Sequence, residues 1–110
     1  MFVKICGITC AEDALLATAL GADALGFVFY GKSPRNTSLD LAKELTKGLP
    51  PFVQLVGLFV NAERVFIEQV LAETAINCLQ FHGEEAPADC AGYSVPVIKA
   101  LRVRSDMDIA

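Results

Sequence analysis

Cys6, within Lys4-Ile5-Cys6-Gly7-Ile8-Thr9, is a thiol set where an apolar run gives way to a turn. Residues 3–6 read as a short strand, Gly7 permits a sharp turn, and Thr9 with Glu12 forms a capping box expected to start a helix. Cys6 is therefore expected at the carboxyl end of a strand, where barrel enzymes carry out their chemistry. Other polar residues fall just past the strand-like runs: Lys32, Ser33 and Arg35 after the second, Asn61 after the third, His82 after the fourth and Arg102 after the fifth. A thiolate, an arginine fork and an imidazole held near one another can bind an aromatic carboxylate and move a proton.

Each of these residues also has a plainer reading. A cysteine in an apolar strand can serve as a small buried hydrophobe, the reading taken for Cys10, Cys78 and Cys90. Arg35 follows Ser33-Pro34 in a loop longer than a simple connection needs, which fits ligand contact as well as solvation. Lys4 shares a strand face with Cys6, placed either to lower the thiol pKa or to pair with an acid. Arg102 and Arg104 read as solvent-facing charges. His82 has no metal-ligand spacing to any of the four cysteines, and no Cys-x-x-Cys pair occurs, so no metal site is expected and the thiols are read as reduced. The glycines form neither G-x-G-x-x-G nor a P-loop, so no nucleotide site is visible.

The elements that must position these residues alternate from end to end, as in parallel sheet with crossover helices. Strands are expected at residues 3–6, 24–29, 52–60, 77–81 and 97–101. The first helix, 10–20, should bury Leu15, Leu16, Ala19 and Leu20 and stop at Gly21. Ser38 should cap a second helix through Lys47, with Leu41 and Leu45 inward and Gly48 ending it before Pro50-Pro51. Asn61 reads as the N-cap of a third helix with Phe66, Ile67, Val70 and Leu71 buried, and a short helix is expected over 84–91.

With 110 residues and 54% apolar content, the chain is expected to be one domain with a real core. A net charge of -4 without any basic stripe argues against nucleic acid or an anionic membrane as partner. No apolar run approaches the roughly 20 residues of a membrane span, and the start leads straight into a strand rather than a signal peptide, so a cytoplasmic location is expected. A closed eight-unit barrel typically needs about 250 residues and rarely under about 200, so this chain of 110 amounts to a little over half of a small one. A complete small doubly wound sheet shares the same local pattern.

Six segments, in order, resemble the phosphoribosylanthranilate isomerase family of tryptophan biosynthesis. They are Lys4-Ile5-Cys6-Gly7-Ile8-Thr9, Gly21-Ala22-Asp23-Ala24-Leu25-Gly26-Phe27-Val28-Phe29-Tyr30, Ser33-Pro34-Arg35, Val56-Gly57-Leu58-Phe59-Val60-Asn61, Leu79-Gln80-Phe81-His82-Gly83-Glu84 and Ile98-Lys99-Ala100-Leu101. The resemblance implies an α/β fold that is the amino-terminal part of a (βα)8 TIM barrel. It also implies an Amadori rearrangement, without cofactor, of N-(5-phosphoribosyl)anthranilate to the 1-deoxyribulose phosphate. By the same resemblance, Cys6 is the general base that takes the proton from sugar C2, Arg35 holds the anthranilate group, and Gln80, His82 and Asn61 line the pocket. Cys10, Gly31 and Phe81 stand where the family commonly has arginine, proline and leucine. The family's general acid, an aspartate on the sixth strand, and its phosphate-binding glycine loops have no counterpart here, so the chain alone is expected to be nearly inactive. Histidine-pathway isomerase and indole-glycerol-phosphate synthase are the nearest rivals; they would call for an acid or a lysine in place of Cys6. The remaining expectation is a half-barrel that does no chemistry and self-associates through open sheet edges, or pairs with a missing carboxy-terminal half.

Overall fold

The strand-like runs are rich in branched and aromatic residues, and they pair edge to edge in the order in which they occur along the chain. The structure, a computed structural model, describes residues 1–99. β1 (Lys4–Cys6), β2 (Ala24–Phe29), β3 (Gln54–Phe59), β4 (Cys78–Phe81) and β5 (Val97–Lys99) form one sheet in the order β1-β2-β3-β4-β5. All four pairings are parallel. The crossovers are α1 (Ala11–Ala19), α2 (Leu39–Lys47) and α3 (Arg64–Glu73), with a 3-10 turn at Pro87–Cys90 between β4 and β5.

Strand residues alternate between two faces. Leu25, Phe27, Phe29, Leu55, Phe59, Leu79 and Phe81 point to the helices, where they meet Ala14, Ala42, Leu45, Ile67 and Val70 in one core. Phe29 stacks on Phe59 at 5.1 Å between ring centroids, and Phe66 of α3 meets both edge-on. Each fully buried phenylalanine contributes about 1.5–3 kcal/mol of burial. The other face carries the small cluster Ala24, Val56 and Cys78. A doubly wound sheet would carry helices on both faces and reverse its strand order at a switch point. Sequential order with one core that holds residues of all three helices excludes it.

Several expected boundaries move. The Thr9–Glu12 capping box does not form: Cys10 is the N-cap of α1 and its side chain makes no cap bond, while Glu12 and Asp13 stand in the first turn near the positive end of the helix. α1 buries Ala14, but Leu15, Leu16 and Leu20 are 57%, 59% and 78% exposed, and Ala19 is exposed too. The helix covers the core with its small Ala14, while Leu16 and Leu20 stand beside Val3 and Ile5 at the β1 end of the sheet. Leu41 likewise faces outward, with Ala42 taking the inward position beside Leu45. Ser38 does cap α2, its hydroxyl accepting from the Leu41 N–H at 3.1 Å. β3 starts at Gln54, because Phe52 lies exposed in the turn after Pro50-Pro51. α3 is N-capped by Glu63 rather than Asn61, and the helix expected over 84–91 shrinks to the 3-10 turn. Leu101, Arg102 and Arg104 lie outside the described residues.

Candidate active site at the carboxyl ends of the strands

β1 is too short to bury its thiol. Cys6 ends the strand and is exposed, paired in register with Gly26 of β2. The backbone then curls over β2: the N–H groups of Gly7 and Ile8 both donate to the Gly26 carbonyl at 3.0 Å. Gly7 has a φ of 85°, a left-handed conformation suited to glycine. Gly26 makes the room. A Cβ there would stand 2.9 Å from the Cys6 Sγ and 3.2 Å from its Cα.

Arg35 is brought to the same place by its loop. The Ser33 N–H donates to the Tyr30 carbonyl, the Arg35 N–H to the Ser33 hydroxyl at 3.1 Å, and the Thr37 N–H to the Val28 carbonyl at 2.6 Å. Thr37 is buried, and its hydroxyl donates to the Ile8 carbonyl at 3.2 Å, fastening the returning loop to the turn after β1. The Arg35 side chain then lies over Gly7, so closely that a Cβ at Gly7 would be 2.5 Å from Arg35 Cδ. Cys6, Gly7, Thr9 and Arg35 line one cavity of about 560 Å³, whose apolar wall comes from Ile5, Leu16 and Leu20. A thiol, a guanidinium and an apolar wall suit an aromatic carboxylate that must give up a proton.

Gln80 and His82 do not line that cavity. Gln80 is half-buried and accepts a hydrogen bond from the Lys4 ammonium, which spans from β1 to β4 across the face that carries Cys6. Lys4 therefore takes an amide rather than an acid as its partner. Beneath it, burial pushes the Cys78 thiol up and the Lys4 charge offsets part of that. Cys78 fits the structural reading, as does half-buried Cys90, whereas Cys10 is exposed. All four cysteines are free. His82 follows β4, half-buried, with its N–H donating to the Phe59 carbonyl at 2.9 Å.

Asn61 belongs to a second cavity, of about 240 Å³, with Arg64, Glu85 and Tyr93. Arg64 lies 4.1 Å from the Tyr93 ring centroid and donates to the Ala91 carbonyl at 2.7 Å. The structure thus unites Cys6 with Arg35 and leaves Asn61 in a neighbouring cavity. Three residues that shape these cavities and loops escaped the sequence reading: Gly26, Thr37 and Glu85. A glycine inside a fully buried strand was the available signal for Gly26. Nothing local marks the other two. Among the described residues, no cluster of His, Cys, Asp or Glu could hold a metal ion, and no helix is long and apolar enough to cross a membrane.

Residues 3–110 match the family model of N-(5'-phosphoribosyl)anthranilate (PRA) isomerase. The N-(5'-phosphoribosyl)anthranilate isomerase of Stutzerimonas stutzeri is 58% identical over 107 residues, which are 97% of this chain and 52% of that protein. The corresponding protein of Thiobacillus denitrificans is 57% identical over the same shares. The phosphoribosyl anthranilate isomerase of Thermotoga maritima superposes with a TM-score of 0.86 at 48% identity, over 90% of this chain and 49% of that one. A phosphoribosyl anthranilate isomerase in complex with reduced 1-(O-carboxyphenylamino)-1-deoxyribulose 5-phosphate gives a TM-score of 0.90 at 47% identity, covering 94% of this chain and 55% of that one. The chain spans about half the length of the curated relatives it matches.

Proposed function

The chain belongs to the N-(5'-phosphoribosyl)anthranilate isomerase family, and on that footing we propose that it supplies the amino-terminal half of such an enzyme. In this reading residues 1–110 form a single domain, five βα units of a (βα)8 barrel, working in the cytoplasm on a phosphorylated small molecule. The reaction is an isomerisation: the ring C1–O bond breaks as an acid protonates the ring oxygen, and a proton is then lost from C2 and gained at C1. After ring opening gives an imine at sugar C1, a base removes the C2 proton, and the enolamine rearranges to the 1-amino-1-deoxyketose. Cys6 is the base and Arg35 binds the anthranilate carboxylate. Gln80, His82 and Asn61 line the remainder of the site.

The observation that carries the proposal is the shared cavity of Cys6 and Arg35 at the end of β1. The general acid and the phosphate clamp come from the other half of the barrel, so the chain alone should turn over at or near background.

The test is a fluorescence assay with phosphoribosylanthranilate generated in situ. It is run on the 110-residue chain alone and on the chain co-expressed with the carboxy-terminal half of the Stutzerimonas stutzeri relative. Activity is expected only in the pair, and Cys6→Ala should lower it by at least about 10²-fold, the scale of a lost general base. Near-normal turnover by Cys6→Ala would remove Cys6 from the mechanism.

A second reading is favoured by the exposed Val3, Ile5, Leu16 and Leu20 beside the β1 edge and by Ile98 on β5. Among the described residues β1 and β5 are the sheet's outer strands, and outer strands with apolar flanks invite pairing, so two copies of the chain can associate where no carboxy-terminal half is present. Size-exclusion chromatography with light scattering separates the readings. A well-folded, monodisperse monomer excludes self-association.

A further inference from the structure

The segments that follow β3 and β4 converge on one carboxylate. The Glu85 side chain is 5% exposed. Its Oε2 accepts from the Asn61 backbone N–H at 2.7 Å. Its Oε1 accepts from the Gly83 N–H at 2.9 Å and from the Lys99 ammonium at 2.7 Å. Lys99 also donates to the Gly83 carbonyl. A single ion pair therefore ties the two segments to the last residue of β5.

The interlock is tight on the backbone as well. Asn61 has a φ of 51°, in the left-handed region that asparagine adopts more readily than most non-glycine residues. Its side-chain Oδ1 accepts from the Glu84 N–H at 2.9 Å. A Cβ at position 83 would lie 2.6 Å from that same oxygen, so glycine is what lets the two segments close. His82 sits between them, its own N–H on the Phe59 carbonyl.

Cohesion alone is a weak account of this pair, because desolvating two charges opposes folding and an apolar pair would join β4 to β5 as well. A carboxylate does something an apolar side chain cannot. It accepts from backbone N–H groups of two different segments at once, fixing one relative to the other. We propose that Glu85 is a positioning residue of the substrate site, setting through Asn61 and Gly83 the backbone that presents Asn61 and His82. This rests on the isomerase reading above, in which those two residues face substrate.

Amide hydrogen exchange of the 110-residue chain tests the positioning directly. In Glu85→Gln the amides of Asn61, His82 and Gly83 should exchange at least about tenfold faster relative to Val56 and Leu79 in the sheet, the scale of losing a charge-assisted hydrogen bond. In the co-expressed pair the same variant should raise KM by about tenfold and move kcat much less, since ground-state placement is what is lost. Lys99→Met leaves both backbone bonds to the carboxylate and should show the same pattern more weakly. It decides the matter if Glu85→Gln does not fold. Unchanged exchange at Asn61 and His82 overturns the proposal. So does acceleration spread evenly over the sheet, or faster exchange with unchanged KM. A wild-type pair without turnover refutes the isomerase reading instead, and the exchange result then judges Glu85 by itself.

Discussion

At the residue scale, the site depends on what is small as much as on what is reactive. The Cys6 thiol occupies space that any side chain at position 26 would take. Gly26→Ala should therefore push the thiol out of place, costing about 1–3 kcal/mol of stability by overpacking and about 10²-fold in turnover of the co-expressed pair. Urea unfolding and the fluorescence assay read the two effects separately. Glu85 gives a prediction of opposite character. Burial would raise its carboxyl, but hydrogen bonds from Lys99 and from the Asn61, Glu85 and Gly83 N–H groups outweigh it and hold the group below the 4.5 of an ordinary glutamate. A carboxyl lowered by folding adds stability that is complete above the unfolded value and is lost as pH falls through the folded one. Wild type should thus exceed Glu85→Gln in urea midpoint above about pH 5, with the gap closing in more acid solution. A gap independent of pH would mean that the charge is not what stabilises.

At the element scale, the sheet's helix-facing side is held by an aromatic row, with Phe59 touching Phe29, Phe66 and Phe81. Phe59→Ala should cost about 3–5 kcal/mol, measured by urea unfolding, because no neighbour can fill the space. Much of this layer was legible beforehand. Strand-like runs with turn residues between them gave all five strands, and the capping hydroxyl of Ser38 with Gly48 beyond Lys47 gave α2 nearly to the residue. The misreadings have a common physical origin. Hydrophobicity marks Leu15, Leu16, Leu20 and Leu41 as core, but only the position of the partner decides which side of a helix is covered. Asn61 was misread for a related reason: its side chain bonds the Glu84 N–H, more than twenty residues away in sequence, instead of capping the helix beside it. The same limit hid Glu85 and Thr37, whose roles lie in long-range contacts. Cys6 and Arg35 were readable because one ends a strand and the other stands in the long loop that follows one.

At the scale of the whole molecule, the two sides of the β1 edge differ in consequence. Leu20 is exposed and touches little, so Leu20→Lys should change the chain's own stability by no more than about 0.5 kcal/mol. It should nevertheless abolish any self-association seen by light scattering, and weaken pairing with a carboxy-terminal half, because it puts a charge on the apolar flank. Retained association would place the contact elsewhere. The spatial order of the strands, which repeats their order in the chain, bears on how the protein comes into being. During synthesis each new βα unit meets a finished neighbour on one side only, so the sheet can grow as the ribosome delivers it, without waiting for a distant strand. β1 is made before β2 to β5 and gains its one described neighbour, β2, early, so among the described strands its other flank is the surface exposed longest during synthesis and the one that chaperones have the longest opportunity to bind.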